Sequence, residues 1–213
     1  MNKLSEIQNL PVLWDGPVDS DTLLILAHGA GAPMDTPFMN YFAQHLANKN
    51  IRVLRFEFPY MALRRKGGNK RPPNPQQVLL TSWRHIIDHS GSYKRKIIGG
   101  KSMGGRMASM IADECHVDGL ICLGYPFYAL GKTEKPRIEH LKNIKTKSLI
   151  LQGDRDVMGS KKNVEIYDLS SQIKIHWLPD GNHDLKPRLK SGFTEIENFE
   201  NALDEIAYFL ELK

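Results

Sequence analysis

The chain has 213 residues, 41% hydrophobic and 25% charged, enough to build a sizeable core with an ordinary globular share of charge. Aromatic residues at 8% exclude a disordered chain, and 29 basic against 24 acidic residues, a net +5, are too balanced to mark a bulk nucleic-acid binder. The two cysteines, Cys115 and Cys122, exclude a disulfide framework, match no zinc spacing and read as buried core thiols. Met1 to Trp14 lacks the apolar stretch of a signal peptide, and the longest apolar run, Leu23 to Ala27, is far too short for a bilayer span. The expectation is a cytoplasmic protein folded as one domain over residues 1–213.

In chain order, Thr22 to Ala27 (TLLILA) is a continuous apolar run of the kind buried on both faces of a sheet, and it ends in the turn cluster His28-Gly29-Ala30-Gly31. Phe38 to Lys49 is predicted as a helix, with Phe38, Tyr41, Phe42 and Leu46 on one stripe. Ile51 to Phe58 alternates as a strand that Pro59 stops, and Met61 to Pro75 reads as a basic loop rich in Gly and Pro. A helix over Gln76 to His89, a strand over Arg95 to Gly99 and a helix over Met103 to Cys115 follow. Gly119 to Gly124 is a further apolar strand, and Tyr125 to Thr146 is irregular, with one short helix near Ile138 to Leu141. Lys147 to Gln152 is a strand, Lys161 to Leu169 a helix and Ile173 to Leu178 a strand, and Phe193 to Leu212 holds the closing helix. Strand-like runs separated mostly by helices predict an α/β fold, a mostly parallel sheet of six to seven strands with helices on both faces. All its carboxyl strand ends share one edge, where the chemistry of such sheets sits.

Gly100-Lys101-Ser102-Met103-Gly104 fits G-x-S-x-G between a strand and a helix, the context of a nucleophile elbow. Small residues are needed there because the serine occupies a tight turn, and the following helix offers amides to an oxyanion. A serine hydroxyl needs a base, and the chain order Ser, Asp/Glu, His points to His183 in the loop after the last strand. The orienting acid comes from Gly153-Asp154-Arg155-Asp156; Asp156 has more room to reach back, while Asp154 remains the alternative. The amides of Ala30 and Met103 are the candidate oxyanion donors, and His28, which precedes the nucleophile and starts the turn, reads as structural. His85 and His89 stand at i, i+4 without the glutamate and third ligand of a zinc helix, and neither glycine cluster completes a dinucleotide or phosphate-loop motif. No metal and no cofactor are therefore expected.

The ordered set HGAG, RFEFPY, GKSMGGR, LGYPF, LQGDRD and GNHDL resembles the α/β-hydrolase superfamily. More narrowly it resembles the small KANL/Tex-type hydrolases related to dienelactone hydrolase, over about residues 20 to 212. The resemblance implies an α/β-hydrolase fold with Ser102 as nucleophile, Asp156 as acid and His183 as base. Only about twenty residues precede the first central strand, so the first strands of the full sheet should be reduced or missing.

The expected activity is that of a serine esterase or related acyl hydrolase on a small ester-like molecule, with neither nucleic acid nor membrane as partner. The alternative is a non-catalytic α/β-hydrolase-like scaffold, which gains if His183 lies out of reach of Ser102. Tyr125 to Thr146 is too short for a multi-helix lid, so a shallow site is expected, with Tyr125, Phe127 and Tyr128 either lining it or packing beneath the loop. In Arg64-Arg65-Lys66-Gly67-Gly68-Asn69-Lys70-Arg71, five of eight residues are basic and none is acidic. Arg64, Arg65 and Arg71 are thus candidate ligands for an anionic substrate, the other reading being a solvated loop.

Overall fold

Eight strands form one sheet in the computed structural model of the chain, which describes residues 4–211, and their order is β1-β2-β4-β3-β5-β6-β7-β8. The strands are β1 (Ser5–Ile7), β2 (Leu10–Asp15), β3 (Thr22–Ala27), β4 (Arg52–Phe56), β5 (Arg95–Lys101), β6 (Gly119–Leu123), β7 (Ser148–Gly153) and β8 (Ile173–Leu178). β1 and β2 pair antiparallel, as do β2 and β4, and every other neighbouring pair is parallel. Among the described residues six α-helices accompany the sheet: α1 (Pro37–Ala47), α2 (Pro59–Arg65), α3 (Gln76–His89), α4 (Met103–Ser109), α5 (Lys161–Val164) and α6 (Glu195–Phe209).

The apolar run of β3 is explained by its place. Leu23, Ile25 and Ala27 enter the core on one face, with Trp83, Phe56 and Met107, while Leu24 and Leu26 enter the core on the other, with Phe42, Phe199 and Ile206. Strand side chains alternate between faces, so a strand covered on both sides is apolar throughout. Thr36 caps α1, its hydroxyl accepting the Met39 amide at 3.2 Å, and Thr194 with Glu197 forms a capping box on α6. Strand order reverses about β3, which β4 flanks on one side and β5 on the other. The turns that leave β3 and β5 therefore emerge side by side, at the crevice where open α/β sheets place ligands.

Eight strands exceed the expected six to seven because the segment before β3 forms a hairpin. Gln8 and Asn9 take φ of 49° and 65° in its two-residue turn, a conformation announced more strongly by Asn-Gly than by this pair. The expected loop from Met61 begins instead as α2, for which Pro59, beyond the end of β4, is the first helical residue. α4 ends at Ser109, with turns running on to His116, and α5 spans one turn. Cys122 is buried and Cys115 partly so. Between β6 and β7 the only regular element is a 3₁₀ turn, Glu139–Leu141. No helix among the described residues is long and apolar enough to cross a membrane.

Candidate active site

Ser102 stands between β5 and α4 with φ 51° and ψ −117°, a region an L-residue occupies at a cost of roughly 1–3 kcal/mol. The surroundings hold it there: its amide donates to the Leu123 carbonyl at 3.0 Å, and its carbonyl accepts the Arg106 amide at 3.0 Å. Two glycines make the turn possible. Gly100 has φ +152°, and a Cβ on it would lie 2.2 Å from the Ala27 carbonyl oxygen; one on Gly104 would lie 2.5 Å from the same atom. α4 is thus seated directly against the end of β3.

The Ser102 hydroxyl donates to His183 Nε2 at 2.8 Å, and His183 Nδ1 donates to Asp156 Oδ2 at 2.7 Å. A carboxylate only accepts, so it fixes the proton on Nδ1 and leaves Nε2 as the acceptor facing the serine. Asp156 is fully buried and is held by two further donors, Gln152 Nε2 and the Met158 amide, both at 2.8 Å. Of the two candidate acids the structure brings Asp156 to the imidazole; Asp154 instead accepts the Lys161 amide through its carbonyl, at 3.0 Å.

The loop that carries His183 is tied down from two sides. Asn198 Nδ2 donates to the Pro179 and Leu185 carbonyls at 3.0 and 2.8 Å. Lys101, the residue before the serine, is buried; its ammonium donates to the His183 carbonyl and lies 3.1 Å from Asp184. Burial pushes the Lys101 ammonium below its ordinary pKa, against the opposing pull of Asp184.

The HGAG turn is fixed by groups that reading the sequence did not connect to it. His28 is buried; its Nδ1 donates to the Gly29 carbonyl at 2.6 Å and its Nε2 accepts the Phe58 amide at 3.2 Å. Burial lowers its pKa, so it serves as a neutral strut. The Tyr60 hydroxyl donates to the Ala30 carbonyl at 2.8 Å, and Arg64 Nη1 to the Gly31 carbonyl at 3.2 Å. Ala30, Ser102 and Met103 together border a cavity of about 310 Å³. Its other walls include Leu79, Met107 and Pro126 on the apolar side, and Asn74, Arg106 and Arg137 on the polar side.

The remaining sequence candidates lie elsewhere. Arg65 is clamped by the fully buried Glu57, at 2.9 and 2.6 Å, and by Asp35 at 2.8 Å. Arg64 supports the HGAG turn and Arg71 stands exposed; none of the three borders the cavity. Tyr125, Phe127 and Tyr128 are buried and do not border it, the Tyr125 hydroxyl lying 3.3 Å from Ser109 Oγ and 3.2 Å from His140 Nε2. Arg106 and Arg137 passed unremarked in the sequence. Arg106 follows Ser102 by one helical turn, which is the signal that could have found it.

Residues 20–211 match the α/β-hydrolase domain family. Among solved structures, the chain is similar to a dienelactone hydrolase from Anabaena variabilis, at 16% identity and TM-score 0.72, covering 100% of this chain and 97% of that one. It is similar to Est1E from Butyrivibrio proteoclasticus with ferulic acid bound, at 14% identity and TM-score 0.70, covering 99% and 98%. It is also similar to an α/β serine hydrolase without a lid from Xanthomonas campestris, at 15% identity and TM-score 0.68, covering 99% and 93%. At these identities the likeness is one of fold.

Proposed function

Because the chain belongs to the α/β-hydrolase family, we propose that it is a serine hydrolase acting on small acyl esters through Ser102, His183 and Asp156. The observation that carries this reading is the relay at the elbow, 2.8 Å from serine to imidazole and 2.7 Å from imidazole to carboxylate. His183 Nε2 takes the hydroxyl proton as Ser102 Oγ attacks the ester carbonyl. The resulting oxyanion is held by the amides of Ala30 and Met103, which border the same cavity. The imidazolium then gives its proton to the departing alkoxide, leaving an acyl group on Ser102. Water attacks that acyl group, His183 takes a proton from it, and the carboxylic acid leaves as the proton returns to Ser102. Asp156 holds the tautomer and stabilises the transient imidazolium. No cofactor enters these steps, and the chain works as one domain.

The approach of His183 to Ser102 supports turnover over a scaffold role, which a wide separation of the two would have favoured. The absence of a multi-helix lid among the described residues suits short acyl chains, as does a cavity of about 310 Å³, near the small end of ligand pockets. The test is hydrolysis of 4-nitrophenyl acetate by the wild type and by Ser102→Ala and His183→Gln. Each substitution should lower kcat/KM by about a thousandfold or more, and short acyl esters should be preferred over long-chain triglycerides. Wild-type activity retained in Ser102→Ala defeats the reading.

A further inference from the structure

Two arginines share the cavity with Ser102, and neither has a counter-ion. Arg106 lies on α4 one turn past the serine, where a helical side chain leans back toward the amino end and so toward the nucleophile. Arg137 comes from the segment between β6 and β7. Among the described residues, neither guanidinium forms an ion pair. Arg106 Nε is buried with no hydrogen-bond partner, and its Nη2 reaches only Gln76 Oε1, at a long 3.4 Å. No Asp or Glu borders the cavity.

Three other cations of the fold are matched by carboxylates. Arg55 is matched by Asp15 at 2.7 Å, Arg65 by Glu57 and Asp35, and Lys101 by Asp184. Burial holds the Arg106 guanidinium below its ordinary pKa, Tyr125 opposing and the like charge of Arg137 adding to it. Two cations on a largely apolar wall, one of them with an unused Nε–H, are what a bound anion relieves. The planar fork of arginine fits a carboxylate in particular.

Resting on the serine-hydrolase reading above, we infer that the substrate carries a carboxylate at its non-reacting end, bound by Arg106 and Arg137 while its ester carbonyl lies at Ser102. Arg106 and Arg137 stand on the cavity wall, which Arg64, Arg65 and Arg71 do not border.

Binding separates this claim from catalysis. Monomethyl adipate and its neutral counterpart methyl hexanoate are titrated calorimetrically into Ser102→Ala protein. The monoanion should bind about tenfold tighter than the neutral ester. Arg106→Gln or Arg137→Gln in that background should remove about tenfold in affinity, the difference shrinking in high salt, whereas Arg84→Gln on the surface should not. In parallel, the wild type should prefer mono-4-nitrophenyl adipate over 4-nitrophenyl hexanoate, with the kcat/KM ratio falling about tenfold in either arginine variant. Equal binding of the two esters, no detectable binding of the monoanion, or unchanged affinity in both arginine variants overturns the inference. Turnover of both nitrophenyl esters without preference removes the carboxylate site but leaves the hydrolase. Arginine-dependent anion binding without any Ser102-dependent turnover does the reverse.

Discussion

Arg65 and Arg106 lie on helices that follow the two strands flanking β3, and they meet opposite surroundings. Arg65 closes on Glu57, whose side chain is 0% exposed, and on Asp35. Arg106 faces a cavity with Arg137 beside it and no carboxylate along its wall. In the first region the guanidinium ties Glu57 to Asp35. In the second it is left available. Positive charge in a sequence says how many cations there are; what each can bind depends on whether a carboxylate, two elements away in the chain, has already taken it.

The largest effect should come from breaking the paired region. Arg65→Met leaves the Glu57 carboxylate buried without its cation, and urea unfolding should report a loss of about 2–3 kcal/mol. By contrast, Arg106→Gln removes no ion pair, and the same measurement should give a change of under about 1 kcal/mol. Equal losses for the two variants would erase the distinction between them.

A smaller effect sharpens the second region. His140, 2.9 Å from Ser109 Oγ, is pushed down to about 4 from 6.5, by burial first and by the charge of Arg106 second. A histidine held down in this way is neutral in the fold, while the unfolded chain takes up a proton below about 6.5. Stability present above that pH should therefore be lost as the pH falls toward about 4. In Arg106→Gln the imidazole should titrate higher, followed by its ring-proton NMR shifts, and the acid-induced loss should shrink. An unmoved or lower titration would mean that Arg106 projects its charge elsewhere.

The residues of the proposed relay were legible because each is announced locally. Ser102 is marked by the glycines its turn demands, and His183 and Asp156 by their loops after the last two parallel strands and by chain order. Asp156 could be separated from Asp154 only in three dimensions, where Gln152 and the Met158 amide hold it against the imidazole. The central strands were legible from their apolar runs. The β1–β2 hairpin was not, because its turn is Gln8-Asn9, and α2 was missed because the basic, Gly- and Pro-rich composition from Met61 onward reads as a loop. The arginines of the cavity were hidden for a different reason: what distinguishes them is a missing partner, and no stretch of sequence displays that.

The most direct measurement of the central claim is covalent labelling by a fluorophosphonate, read as intact mass and mapped by peptide. The account predicts a single adduct on Ser102, lost in Ser102→Ala and greatly slowed in His183→Gln, since the imidazole must take the serine proton for the phosphorus–oxygen bond to form. Folded wild-type protein that stays unlabelled, or an identical adduct on Ser102→Ala, would contradict it.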